Sequence, residues 1–247
     1  MESVSVKEGW SRNGRVRLHY LISGAGSADL TPIFFIPGAF GSAELYLSEF
    51  KFLAPRPCVS ISLRGQGKSD APLTGYSLAH YASDIASVVE DVGVSDFVLM
   101  AYSRGVPYAI RYCAQTARQL RGLILGDYPA RLTKPSSEWA DRVQHSLLPE
   151  VAKPHVVHAI VEESEDVELW EELDRLRFPV LVLRGLKRGA LLGDSEVNLY
   201  RDHLVQVEVI DFPESGHELW KPSYDRFMGA IEDFLLEADE ARETPAS

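Results

Sequence analysis

Cysteine is scarce in this chain, with only Cys58 and Cys113 among 247 residues. Each lies inside an apolar run far from the other, so they read as buried thiols and not as a disulfide or a thiolate metal site. No apolar stretch approaches the ~20 residues needed to cross a bilayer. The opening Met1-Glu2-Ser3-Val4-Ser5-Val6-Lys7-Glu8 lacks the basic patch and apolar core of an export signal, and a cytoplasmic location is expected. Cations are outnumbered, 25 Lys and Arg against 36 Asp and Glu, for a net charge of -11. Such a surface repels phosphate backbones and anionic lipid, which excludes nucleic acid and membrane as expected partners and leaves a small molecule. There is no internal repeat or low-complexity linker. The length suits one large core, so a single domain over 1–247 is expected.

What is present is a regular alternation. Asn13-Gly14 and the alternating residues after it predict an antiparallel hairpin of residues 4–6 and 16–21. Short apolar runs follow at 33–36, 59–63, 97–100, 123–125 and 180–183. Near-continuous β-rich runs are the mark of parallel strands covered by helices on both faces. The run 205–210 alternates, so it is placed at an edge. Ser77 is positioned to cap a helix with Tyr81, Ile85, Val88, Val89 and Val92 on one face, and Gly93 ends it. Ala109, Ile110 and Cys113 mark a second helix, and Phe227, Ile231, Phe234 and Leu235 a last one. The acidic, polar stretch 237–247 is expected to fray. Between Pro129 and Phe178 no strand is evident; Trp139, Val143, Val156 and Ile160 precede an acidic run. This predicts a small helical lid, 130–178, over the carboxyl ends of the strands, where open α/β sheets place their sites.

Four loops carry the chemistry. Ala101-Tyr102-Ser103-Arg104-Gly105 joins a strand to a helix. A sharp turn there lifts the Ser103 hydroxyl above the sheet, and small residues two before and two after it let strand and helix approach. Pro37-Gly38-Ala39-Phe40-Gly41 follows another strand and can present the Ala39 N–H, or that of Phe40, toward Ser103. With the Arg104 N–H this makes a two-donor oxyanion hole. Arg64-Gly65-Gln66-Gly67-Lys68-Ser69-Asp70 fits neither nucleotide-binding glycine spacing, so Arg64 and Asp70 are read as staples. Pro213-Glu214-Ser215-Gly216-His217 lies between the last strand and the last helix, where a general base reaches the nucleophile. Of seven histidines, His19 and His203 fall in expected surface elements and His80 in a first helical turn. His145, His155 and His158 belong to the insertion. No metal or cofactor is expected.

These elements in this order resemble the α/β-hydrolase superfamily over nearly the whole chain. The resemblance implies the α/β-hydrolase fold, with a mostly parallel eight-stranded sheet, helices on both faces and an initial antiparallel strand. It implies a nucleophile–acid–His triad, with Ser103 as nucleophile, His217 as base, and Ala39 and Arg104 as oxyanion donors. Members usually carry the acid in a turn that here reads Gly185-Leu186-Lys187-Arg188, a cation where the acid is expected. Two candidates remain, Asp127 at the end of the strand after the nucleophile helix and Asp194 late on the usual loop. Asp127 is preferred, because Asp194 looks like a helix N-cap whose oxygens are already engaged. Phe40, Tyr102 and Arg188 are the expected substrate contacts, Arg188 through a substrate carboxylate; the acidic insertion argues against strongly anionic substrates. The expected activity is hydrolysis of an ester, lactone or related carbonyl through an acyl-enzyme. The alternatives are a C–C bond hydrolase, a lyase, a haloperoxidase-like member, or a non-catalytic ligand-binding member.

Overall fold

The computed structural model describes residues 4–24, 29–116 and 120–243. It opens with a hairpin of β1 (Val6–Asn13) and β2 (Val16–Ser23), followed by β3 (Ile33–Ile36), α1 (Leu47–Phe52), β4 (Cys58–Ile61) and α2 (Leu78–Val92). Then come β5 (Phe97–Tyr102), α3 (Gly105–Gln115) and β6 (Leu120–Gly126). The insertion holds β7 (Arg131–Leu132), α4 (Ser137–Ser146), α5 (Pro154–Glu163), β8 (Val167–Glu168) and α6 (Trp170–Leu173). The chain closes with β9 (Val180–Gly185), α7 (Asp194–His203), β10 (Val207–Phe212) and α8 (Tyr224–Glu243).

Eight strands form one sheet in the order β1-β2-β4-β3-β5-β6-β9-β10. The pairs β1–β2 and β2–β4 are antiparallel, and β4 through β10 run parallel. Successive side chains of a strand point to opposite faces. Accordingly Phe34, Leu99 and Val182 pack with α2 and α3 on one side, whereas Phe35, Met100 and Leu181 pack with α1 and α8 on the other. Because β3, β5, β6, β9 and β10 are parallel, the loops leaving them all emerge along one edge of the sheet. That edge carries the site.

Several sequence expectations are corrected. The first strand runs to Asn13, well beyond residues 4–6, because every residue from Val6 onward pairs with β2. The tight turn is Gly14-Arg15, with Gly14 at φ 60° supplying the backbone a two-residue hairpin needs. His19 is fully buried, since β2 is flanked on both sides and Trp10 packs on the imidazole at 5.1 Å. α8 continues to Glu243 where fraying was expected. Asp239 ties it down by accepting from the Thr31 N–H at 2.7 Å and from Arg56 Nη2 at 2.7 Å; residues 244–247 lie outside the described residues. The insertion contains strands after all, a two-residue ribbon pairing Arg131 with Glu168 and Leu132 with Val167. Strands so short leave no alternation to detect.

Arg64 and Asp70 do staple their loop, to different partners. Asp70 accepts from the Arg17 N–H, and Arg64 reaches Asp84 on α2 with Nε at 2.8 Å and Nη2 at 2.6 Å. This pair is sealed, with 4% and 0% of the two side chains exposed. A buried pair that loses one member leaves an uncompensated charge. Asp84→Ala is therefore expected to destabilise the protein by about 3–5 kcal/mol, read as a lower urea midpoint.

Candidate active site

Ser103 leaves β5 in the left-handed region, at φ 53°. Its N–H bonds Gly126 O at 2.9 Å, and its carbonyl accepts from Val106 N at 2.9 Å as α3 begins. The close approach falls where the spacing of small residues placed it. A methyl on Gly105 would sit 2.5 Å from Pro37 O, and one on Gly38 would sit 2.9 Å from Ser103 Cβ. Among the described residues the only other non-glycine positive φ values are Phe40 at 58° and Asp127 at 43°. Each of the three follows a parallel strand at the same edge, and each costs on the order of 1–3 kcal/mol.

His217 Nε2 lies 2.9 Å from Ser103 Oγ, and His217 Nδ1 lies 2.8 Å from Asp127 Oδ2. With Asp127 as carboxylate, Nδ1 carries the proton and Nε2 accepts from the serine hydroxyl. Asp127 is fully buried and is held by the Leu191 N–H at 2.9 Å and the Gly185 N–H at 3.3 Å. The loop after β9, in which the resemblance led us to look for an acid, instead supplies amides to an acid on β6. Asp194 is occupied elsewhere: it pairs with Arg184, which also holds Asp211, and its side chain is 92% exposed. It is the first residue of α7, not its cap; Gly193 takes that place.

Tyr102 braces His217. Its ring stacks on the His217 imidazole at 4.8 Å, and its hydroxyl donates to the His217 carbonyl at 2.7 Å. Burial pushes its phenol well above the usual value, with the Asp127 carboxylate adding to the effect, so it remains a neutral donor. Gly216 lets this loop pack on Gly185, where any β-carbon would collide with the Gly216 carbonyl.

A cavity of about 560 Å³ opens at Ser103. Its walls include the Pro37-Gly38-Ala39 turn, Met100, Tyr102, His217 and Trp220, with Glu49 from α1 and Tyr224 and Phe227 from α8. Ala39 thus stands beside Ser103. Phe40 does not line the cavity: its ring is buried against Trp139 of α4 at 5.9 Å. Arg188 lines a neighbouring pocket of about 530 Å³ that shares His217. The Arg104 side chain turns away to Thr133 O and Ser164 Oγ, both at 3.0 Å, and so anchors the insertion. No residue of 130–178 lines the Ser103 cavity. Glu49, Trp220 and Tyr224 were not foreseen. Only Trp220 had a visible signal, as a large aromatic in the loop of His217.

A family profile described as the alpha/beta hydrolase fold matches residues 31–151. That match spans just under half of the chain and, with the fold, supports the α/β-hydrolase superfamily. The chain is a hydrolase of that fold. It is similar to N-formylmaleamate deformylase of Pseudomonas putida, with 25% identity covering 91% of this chain and 94% of the relative. A non-heme haloperoxidase of Rhodococcus erythropolis is 30% identical over 43% of this chain and 40% of its own. Among solved structures, an esterase from Rhodococcus sp. ECU1013 superimposes with a TM-score of 0.77, at 20% identity, over 95% of this chain and 99% of that one. Among the described residues no helix is long and apolar enough to cross a membrane, and no cluster of three His, Cys, Asp or Glu is arranged to hold a metal ion.

The Gly185–Gly216 contact gives a test of how His217 is held. Gly185→Ala is expected to cost about 1–3 kcal/mol through overpacking and to displace the His217 loop. Thermal unfolding and the His217 imidazole NMR signals of the same preparation check both effects.

Proposed function

We propose that the protein is a serine hydrolase that cleaves an ester, lactone or related carbonyl substrate through an acyl-enzyme at Ser103. The observation that carries this reading is the continuous relay Ser103–His217–Asp127, with links of 2.9 and 2.8 Å at the mouth of a cavity. His217 takes the Ser103 proton as Oγ attacks the carbonyl carbon. Asp127, buried and bonded to two amides, holds the imidazole in the required tautomer and stabilises the imidazolium. The N–H groups of Ala39 and Arg104 are assigned to the oxyanion, the second at the start of α3 where the helix dipole adds positive potential. The tetrahedral intermediate collapses as His217 returns the proton to the leaving oxygen. Water, deprotonated by His217, then attacks the acyl carbon and releases Ser103.

Similarity to a deformylase along most of the chain supports a carbonyl substrate. A non-catalytic reading drew its force from the cation at the usual acid position, and Asp127 bonded to His217 removes that reason. Residues 130–178 are proposed as a lid that acts on the site indirectly. Its α4 ring Trp139 packs on Phe40 beside the Ala39 turn, and Arg104, next to Ser103, holds its base. Arg188, exposed beside His217, is proposed to meet an anionic substituent that enters the neighbouring pocket. Arg188→Ala should then raise KM for a butyrate ester whose leaving alcohol carries a carboxylate, such as the glycolate ester, and leave the ethyl ester unchanged; an equal effect on both would refute the contact.

Labelling with a fluorophosphonate and p-nitrophenyl acetate hydrolysis test the triad together. Ser103→Ala should abolish labelling, and Asp127→Asn should lower kcat by about 10⁴-fold. Asp194→Asn should stay near wild type. Full activity of Asp127→Asn with loss in Asp194→Asn would overturn the acid assignment, and an unlabelled wild type would overturn the hydrolase reading.

A further inference from the structure

The Ser103 cavity is mostly apolar, and away from Ser103, Tyr102 and His217 its polar lining comes from Tyr46, Ser48, Glu49 and Tyr224. Among the described residues, the buried side-chain oxygens and nitrogens without a hydrogen-bond partner include two from residues lining this cavity, Glu49 Oε2 and Tyr224 Oη. Glu49 also forms no ion pair with any described residue. The two side chains come from different elements, α1 and the first residue of α8, and are close enough for the Glu49 charge to raise the Tyr224 phenol. Both atoms are sealed from solvent, so bulk water does not supply the missing bonds. Burial raises the Glu49 carboxyl above its ordinary value, and a bond from its own backbone N–H offsets this only in part.

Leaving such groups unpaired is costly, about 1–3 kcal/mol for each neutral group and more for a charge. The terminal torsion of a glutamate is broad and roughly two-fold, so either carboxyl oxygen can be turned into the cavity. A ligand group that donates to Glu49 satisfies it, and a hydroxyl can accept from Tyr224 at the same time. His217 lines both pockets; with the leaving group in the neighbouring one, the acyl portion occupies the Ser103 cavity.

We propose that Glu49 and Tyr224 form a polar subsite that takes a hydrogen-bond donor, a hydroxyl or an ammonium, carried on the acyl portion of the substrate. This rests on the reading of Ser103 as nucleophile, with the cavity taken as the acyl pocket. A wholly apolar acyl chain of the same shape is disfavoured, since it leaves both groups unpaired.

The test is a series of straight-chain p-nitrophenyl esters of several lengths, each compared with partners whose terminal methyl is replaced by hydroxyl or by ammonium. The measured quantity is the ratio of kcat/KM, polar over apolar, in wild type, Glu49→Leu, Glu49→Gln and Tyr224→Phe. At the best-fitting length the ratio should fall about tenfold or more in Glu49→Leu, the loss of one hydrogen bond to a charged or buried group. Glu49→Gln keeps an acceptor at the same volume, so it should retain the hydroxyl preference and lose the ammonium one. Tyr224→Phe should weaken the hydroxyl preference alone. The matching ethyl esters, bound to Ser103→Ala and followed by calorimetry, give the same ratios as Kd without any catalysis. Ratios equal in wild type and all variants at every length, with fluorophosphonate labelling intact, overturn the subsite and leave the serine hydrolase standing. Absent labelling with the Kd ratios shifting as expected overturns the hydrolase and keeps the subsite.

Discussion

The Asp127 carboxylate, fully buried at the end of β6, holds the rest of the site in register. It accepts from the His217 imidazole, the Leu191 amide and the Gly185 amide, and so joins three loops that are distant in sequence. Its own N–H bonds Leu183 O across the sheet at 2.8 Å, which fixes the backbone from which the carboxylate projects. A charge in such a place is tolerable only when its oxygens are filled. Each partner is therefore also a constraint on where the base can stand.

The backbone strain at this edge belongs to the same design. Phe40, Ser103 and Asp127 take left-handed conformations unfavourable for residues with a β-carbon. They persist because the surrounding structure determines them. Gly126 O receives the Ser103 N–H, Gly38 and Gly105 leave room for the turn, and Trp139 covers Phe40. The two-sided core behind the sheet offsets the cost. The strained residues stand at one edge, where Ser103 and Asp127 both meet His217.

The insertion is bound to the core and contributes no residue to the wall of the Ser103 cavity. Its residues are tied to the core by Arg104, by the amides of Gly75 and Tyr76 bonded to Glu163, and by Val156 against Gly65. The Ser103 cavity instead opens toward α1 and α8. Part of its wall comes from the start of the last helix and from a short helix after β3, segments whose sequences carry no motif.

Much of this was legible in the residues themselves. The apolar runs and glycine-bearing loops specify a parallel sheet, and parallel strands bring Pro37–Phe40, Ser103, Asp127 and His217 to one edge by geometry alone. Ser103 and His217 stood out in the sequence because a sharp strand–helix turn needs small neighbours and the loop after the last strand reaches that edge. The choice between Asp127 and Asp194 was not decided by pattern, since both are acids near strand ends. Only tertiary structure separates them, by giving Arg184 to Asp194 and two amides and His217 to Asp127. Likewise Glu49 is only an acid on a six-residue helix until α8 places Tyr224 near it. Local sequence determines which backbone a segment adopts; which polar atoms lose water together depends on packing between segments distant along the chain.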